Sequence, residues 1–260
     1  MEVKKAVIPI AGLGKRFRPL SNVLPKELWP LVDKPVLEYI IEEALSSGVK
    51  QLIFVNRPGK KILTDYLKSY SFPQIIQKKP LGDGDAILKA KKIIGREFFA
   101  VLFGDDVVES KVPCILQLIK VFKKRKKPII ALQPVAKEKV SSYGIVKVKK
   151  IDNSLYQILD IVEKPKSREA PSNLAIVGKY ILTPDIFDYL KKIKPRRDKE
   201  VRLADGLIEM LKAGKTILGL KIEGKWLECG NKQAYLKSNL YLSLKHPQFG
   251  KELRKNLKEV

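Results

Sequence analysis

A short apolar run, Ala6-Val7-Ile8-Pro9-Ile10, leads straight into Ala11-Gly12-Leu13-Gly14-Lys15-Arg16-Phe17-Arg18-Pro19. Glycines at such a turn let backbone N–H groups approach an anion with no Cβ in the way, and a helix opening there favours negative charge. Lys15, Arg16 and Arg18 add cations at a density suited to a triphosphate. The spacing is neither G-x-G-x-x-G nor G-x-x-x-x-G-K-[ST], which excludes a dinucleotide fingerprint and a Walker loop. Soon after comes Pro25-Lys26-Glu27-Leu28-Trp29-Pro30-Leu31-Val32-Asp33-Lys34-Pro35, where prolines stiffen a loop that carries a lysine and flanking acids.

Two further constellations carry chemistry. Asp105-Asp106 follows the most hydrophobic run, Phe98 to Phe103. Carboxylates at the carboxyl end of a strand sit where open α/β sheets bind ligands, and oxygen ligands there suit Mg2+ held between protein and phosphates. In Glu163-Lys164-Pro165 an acid stands beside a base. The carboxylate can accept hydroxyl protons while the ammonium meets a phosphate as a point charge. With one histidine and two cysteines, Cys114 and Cys229, in no C-x-x-C arrangement, a His/Cys metal site and a Ser-His-Asp triad are excluded.

Together the stretch from Ala11 to Pro35 resembles the signature of sugar-phosphate nucleotidyltransferases, and Pro25–Pro35 is most similar to the prokaryotic UTP–glucose-1-phosphate uridylyltransferases. Gly104-Asp105-Asp106, Val162-Glu163-Lys164-Pro165-Lys166, Ser172 to Gly178 and Cys229-Gly230-Asn231-Lys232 continue the likeness in order over nearly the whole chain. The resemblance implies uridylyl transfer from UTP to glucose 1-phosphate, with Mg2+ on Asp105 and possible help from Glu228. It implies catalytic roles for Arg16, Lys26, Asp105 and Lys164. Ala11, Gly12, Gly14, Lys15, Glu27, Gln77, Gly82 and Asp106 would form the nucleotide site. Gly144, Glu163, Lys164, Asn173 and Val177 would form the sugar site. Gln77 and Gly82 match the base-binding positions, where an amide can pair with the edge of uracil. Three departures stand out: Lys15 replaces the family's Thr, Glu228 its Asp, and the segment before Gln77 is shortened. A thymidylyltransferase using dTTP, or a non-catalytic binding subunit on the same fold, are the alternatives.

The elements that must position these groups follow from periodicity. Ala6–Ile10, Leu52–Val55, Pro73–Gln77, Phe98–Phe103 and Ile129–Gln133 read as strands. Helices are predicted over Pro35–Gly48, Ile62–Tyr70, Ala86–Ile94 and Val112–Arg125, so β and α alternate as in a parallel sheet. Beyond residue 134, strands at Tyr143–Lys149, Tyr156–Val162 and Leu174–Leu182 suggest an antiparallel extension. Helices at Pro184–Lys192 and Val201–Ala213, strand Thr216–Ile222, and helices Lys232–Lys245 and Gln248–Lys258 complete the chain. The expectation is a Rossmann-like three-layer α/β/α fold with a mainly parallel mixed sheet and a small antiparallel sugar-binding extension. Its nucleotide half is 1–134, its sugar half 135–230, and C-terminal helices occupy 231–260.

The net charge of +24 invites nucleic acid as a partner. The cations are scattered, however, and only ten of the 52 are Arg, so solubility or heat adaptation is the preferred explanation. No apolar run reaches the ~20 residues of a membrane span, and a cytoplasmic enzyme assembling as a homo-oligomer is expected.

Overall fold

The computed structural model describes residues 2–195, 199–257 and 259. Strand β1 (Lys5–Pro9) is followed by three 3-10 turns at Lys15–Phe17, Leu20–Asn22 and Lys26–Leu28, and by the small pair β2 (Pro30–Leu31) and β3 (Lys34–Pro35). Then come α1 (Val36–Ser46), β4 (Gln51–Asn56), α2 (Lys61–Lys68), β5 (Gln74–Ile76), α3 (Asp83–Lys89), α4 (Lys91–Ile94), β6 (Phe99–Leu102) and β7 (Asp106–Glu109). The next stretch holds α5 (Cys114–Arg125), β8 (Ile129–Pro134), β9 (Gly144–Lys150), β10 (Leu155–Glu163) and β11 (Leu174–Leu182). It ends with α6 (Ile186–Leu190), α7 (Leu203–Lys212), β12 (Ile217–Lys221), β13 (Lys225–Glu228), α8 (Lys232–Lys245) and α9 (Gly250–Asn256).

Nine strands form one sheet in the order β5-β4-β1-β6-β11-β8-β12-β10-β9. The pairings leave only β11 and β10 running against the other seven, so the sheet is mixed with a dominant direction. Alternation along each strand divides the core into two faces. From β1, Ala6 and Ile8 join one cluster with apolar residues of α1, α2 and α5, while Val7 joins the other with α3, α4, α6 and α7. That is the expected three-layer α/β/α arrangement. The antiparallel strands are not a separate lobe. β9 and β10 extend the edge of the same sheet, and β11 lies between β6 and β8.

Four local differences bear on the site. The glycine-rich loop opens a 3-10 turn at Lys15–Phe17 instead of an α-helix, so no α-helix macrodipole stands at this loop, and its positive charge is that of side chains such as Lys15 and Arg16. The helix predicted over Ala86–Ile94 starts earlier, at Asp83, and divides into α3 and α4 at Ala90. The final helix spans Gly250–Asn256; of the range predicted for it, Lys258 lies outside the described residues. Finally, β7 and β13 form an antiparallel pair absent from the sequence reading, in which Asp106 stands opposite Glu228. Among the described residues no helix is long and apolar enough to cross a membrane.

Candidate active site

The basic loop is held from below by aromatic packing. Phe17 is buried and meets the Trp29 ring edge-on at 4.6 Å, and Trp29 meets Tyr235 of α8 at 5.1 Å. Edge-to-face pairs of this kind add about 0.5–1.5 kcal/mol each beyond their burial. They pin together the loop, the Pro25–Pro35 segment and the C-terminal helix. Gly14 takes a left-handed φ of 63°, and its carbonyl accepts from the Ser21 hydroxyl at 2.8 Å. Lys15 and Arg16, both exposed, stand at the rim.

Lys26 forms an ion pair with Asp105 Oδ2 across this loop. Burial pulls the Lys26 ammonium down, but the carboxylates of Asp105 and Glu27 outweigh it and hold it above its ordinary value. Burial acts on Asp105 in the opposite direction to Lys26 and Arg16, whose charges win and keep its carboxyl below the usual range. Glu27 does not reach into the open site with a free carboxylate. It is 1% exposed, and Lys60 Nζ donates to both its oxygens at 3.0 and 2.9 Å and to the Ile10 carbonyl at 2.6 Å. Lys60 was not singled out in the sequence, where one lysine among many carries no signal. Its burial pulls its own ammonium down despite Glu27.

Asp106 turns away from the loop. Trp226 Nε1 donates to its Oδ1 at 2.8 Å, and burial together with the neighbouring Asp105 charge pushes its carboxyl up to about 7. Glu228 is oriented by the Tyr143 hydroxyl, which donates to Oε2 at 2.7 Å, and by Asn231 Nδ2, which donates to Oε1 at 3.0 Å. Tyr143 and Trp226 were likewise missed. A side chain at Gly230 would place its Cβ 3.1 Å from Asp105 Oδ2 and 3.5 Å from Glu228 Oε1. The glycine therefore leaves open a space flanked by two carboxylates, a hard-oxygen donor set that fits a divalent cation. Among the described residues no three His, Cys, Asp or Glu side chains cluster to hold a metal unaided. Such an ion would take its remaining ligands from water and phosphate, as Mg2+ commonly does.

At the other end of the same cavity, of about 370 Å3, lie Gln77 and Gly82. Gln77 Nε2 donates to the Gly82 carbonyl at 3.0 Å and to Asp85 Oδ2 at 2.7 Å. Gly82 has φ 97°, and a Cβ there would stand 2.4 Å from the Val201 carbonyl oxygen, so only glycine allows this close approach. Ala11, Gly12, Gly14, Lys15, Arg16, Lys26, Glu27 and Asp105 line the cavity as well.

Of the residues expected for the sugar, Gly144, Glu163 and Val177 lie on β9, β10 and β11, Lys164 directly follows β10 and Asn173 directly precedes β11, all outside that lining. Gly144 pairs with Glu163, whose Oε2 would stand 3.2 Å from a Cβ on it, and Lys164 Nζ lies 3.9 Å from Glu163 Oε1. Lys164 adopts φ 49°, and its N–H donates to the Tyr143 carbonyl at 3.0 Å. Asn173 is exposed, and its carbonyl accepts from the Val135 N–H at 2.9 Å. Alternation along β11 turns the Val177 side chain into the core on the far face, fully buried, so what this position offers a ligand is its backbone. The neighbour on the near face is Ile176, whose Cδ1 would lie 3.5 Å from a Cβ on Gly144.

A three-layer α/β/α fold whose first strand ends in a glycine-rich basic loop, near a Lys–Asp pair and a second carboxylate, is the arrangement of a nucleotide-handling enzyme. The chain belongs to the nucleotidyl transferase family, whose family model matches residues 5–243. It is 35% identical to the UTP–glucose-1-phosphate uridylyltransferase of Staphylococcus epidermidis over 285 residues, covering 100% of this chain and 99% of the relative. The Staphylococcus haemolyticus counterpart is 36% identical with the same coverage. Since 285 − 260 = 25, at least 25 aligned positions have no counterpart here. Among solved structures, a UDP-glucose pyrophosphorylase complexed with UDP-glucose superposes with a TM-score of 0.89 at 36% identity, covering 94% of this chain and 100% of that one. A UTP-bound enzyme from Acinetobacter baumannii gives 0.87 at 32% identity, covering both chains completely.

Proposed function

We propose that the protein transfers the uridylyl group of UTP to glucose 1-phosphate, forming UDP-glucose and pyrophosphate. The observation that carries this reading is the convergence of the basic loop, the Lys26–Asp105 pair and the Gln77–Gly82 pair on one cavity. A sugar-phosphate oxygen attacks the α-phosphorus, and the bond from that phosphorus to the bridging oxygen of the β-phosphate breaks. The nucleophile is already anionic, so no general base has to create it, which accords with a chain holding a single histidine. The task is bringing two polyanions together and stabilising charge in an in-line displacement.

In this reading Arg16 and Lys15 hold the departing pyrophosphate, Lys26 the α-phosphate, and Lys164 the incoming phosphate. Glu163 accepts hydroxyls of the hexose. Asp105 and Glu228 would hold Mg2+, which when bound neutralises phosphate charge and orients the reacting oxygens. Tyr143 and Asn231 keep the Glu228 carboxylate turned toward that position.

The test is pyrophosphate release from a panel of nucleotides and hexose 1-phosphates, with and without Mg2+. UTP with glucose 1-phosphate and Mg2+ should give the highest kcat/KM. Preference for dTTP, or no release from any pair, would overturn the assignment.

A further inference from the structure

The base end of the cavity contains a polarity lock. An amide nitrogen has two protons, and those of Gln77 are directed to two acceptors, the Gly82 carbonyl at 3.0 Å and Asp85 Oδ2 at 2.7 Å. Neither acceptor is free to turn away. The Gly82 carbonyl also receives the Ala86 N–H at 3.2 Å, and Val201 packs against Gly82 Cα. Asp85 is 8% exposed on α3, with the Lys89 ammonium 3.4 Å from its other oxygen. Gln77 is 2% exposed, and its backbone N–H donates to the Asn56 carbonyl at 2.7 Å. Turning the amide over would set Oε1 against two acceptor oxygens in a buried site, where unpaired polar atoms are expensive. Among the described residues no donor reaches Gln77 Oε1, while the residue itself lines the cavity.

We propose that Asp85 is a positioning residue for base specificity: it spends the second amide proton of Gln77, so that the cavity is offered Oε1 alone and accepts a pyrimidine carrying a proton on ring N3. Uracil supplies that proton. Cytosine presents a lone pair at the same place, which meets Oε1 with like polarity. Discrimination then works through a repulsive contact as well as an attractive one. The inference rests on reading the cavity as a uridine-nucleotide site, and it names what selects the base there.

Wild-type protein, Asp85→Asn and Asp85→Ala would be assayed with UTP, CTP and 3-methyl-UTP, which lacks the N3 proton, and their binding measured by calorimetry. For the wild type, kcat/KM with CTP and with 3-methyl-UTP should fall at least ~1000-fold below UTP, as expected where a buried polar group is left unpaired. In Asp85→Asn a side-chain amide can offer its own N–H to Oε1 and let Gln77 turn over. There KM for UTP should rise ~10-fold with kcat within ~3-fold, and the UTP-over-CTP ratio should shrink at least ~10-fold. An unchanged ratio in a folded Asp85→Asn protein, or wild-type use of 3-methyl-UTP at the UTP rate, would overturn the proposal. Should neither variant fold, the 3-methyl-UTP comparison on the wild type decides alone. Protein that binds UTP, refuses 3-methyl-UTP and yet releases no pyrophosphate supports the lock while overturning the transfer reading.

Discussion

Replacing Lys60 by Met tests how the floor of the site is built. Met keeps the buried stem and removes the ammonium, so the change strands the Glu27 carboxylate, 1% exposed, and the Ile10 carbonyl just before the glycine-rich loop. Removing one partner of a buried ion pair costs about 3–5 kcal/mol because the remaining charge is left uncompensated. Lys26 lies close enough for Glu27 to act on its charge and offsets part of that cost. About 3 kcal/mol is therefore expected, against a net stability of about 5–15 kcal/mol for a domain. For a chain of this size that lowers Tm by about 6–12 °C. Pairing it with Glu27→Gln removes the stranded charge, so the double variant should lose less than the two single losses added, by about 2 kcal/mol. The assay is denaturant unfolding of all four proteins at pH 7. The argument fails if Lys60→Met loses under about 1 kcal/mol, or if the double variant simply adds the two single losses.

Two more outcomes follow from the same geometry. At Gly178 a Cβ would stand 2.2 Å from Asp106 Oδ2 and 2.7 Å from Phe103 Cβ, so Gly178→Ala should cost about 1–3 kcal/mol by overcrowding. Gly12→Ala, with nothing within 4 Å of its Cβ, should change stability by under about 0.5 kcal/mol; calorimetric melting of the two reads the contrast. Burial, with the charges of Glu163 and Glu200, pushes the Asp83 carboxyl up to about 6 although it accepts the Leu203 N–H at 2.7 Å. A carboxyl whose folded pKa is raised holds its proton more tightly when folded, so its stabilising contribution is full below pH 3.8 and is lost as pH rises through about 6. Asp83→Asn keeps the acceptor for Leu203 and abolishes the titration. It should be about 1–2 kcal/mol more stable than wild type at pH 7, a gap that closes by about pH 4, and a gap independent of pH contradicts the assignment.

What could be read in advance divides according to the range of the signal. Alternating or 3.6-residue patterns are local, so Leu174–Leu182 and Lys232–Lys245 were predicted with their observed bounds. The pair β7–β13 was not. Its strands are four residues each, Asp-Val-Val-Glu and Lys-Trp-Leu-Glu, polar at both ends, and they meet across more than a hundred positions. Nothing in either quartet announces the other, yet that pairing sets Asp106 opposite Glu228 and brings Trp226 within reach of Asp106.

The site divides along the same line. Gly12, Arg16, Lys26, Gln77 and Asp105 stand in motifs because the groups that meet a ligand need particular atoms at particular strand ends, and one cavity gathers them. Lys60, Asp85, Tyr143 and Trp226 do a different job, holding Glu27, Gln77, Glu228 and Asp106 in their orientations. A supporting group needs only the right charge or proton within reach, and several residue types on several elements can provide that. Among 52 cationic residues Lys60 has no local mark; only its burial against Glu27 distinguishes it. The buried side chain of Val177 has a related origin. A motif names the strand that lines a ligand, but the pleat decides which neighbour points inward, and that parity is set by hydrogen bonding to β6 and β8 rather than by the residue itself.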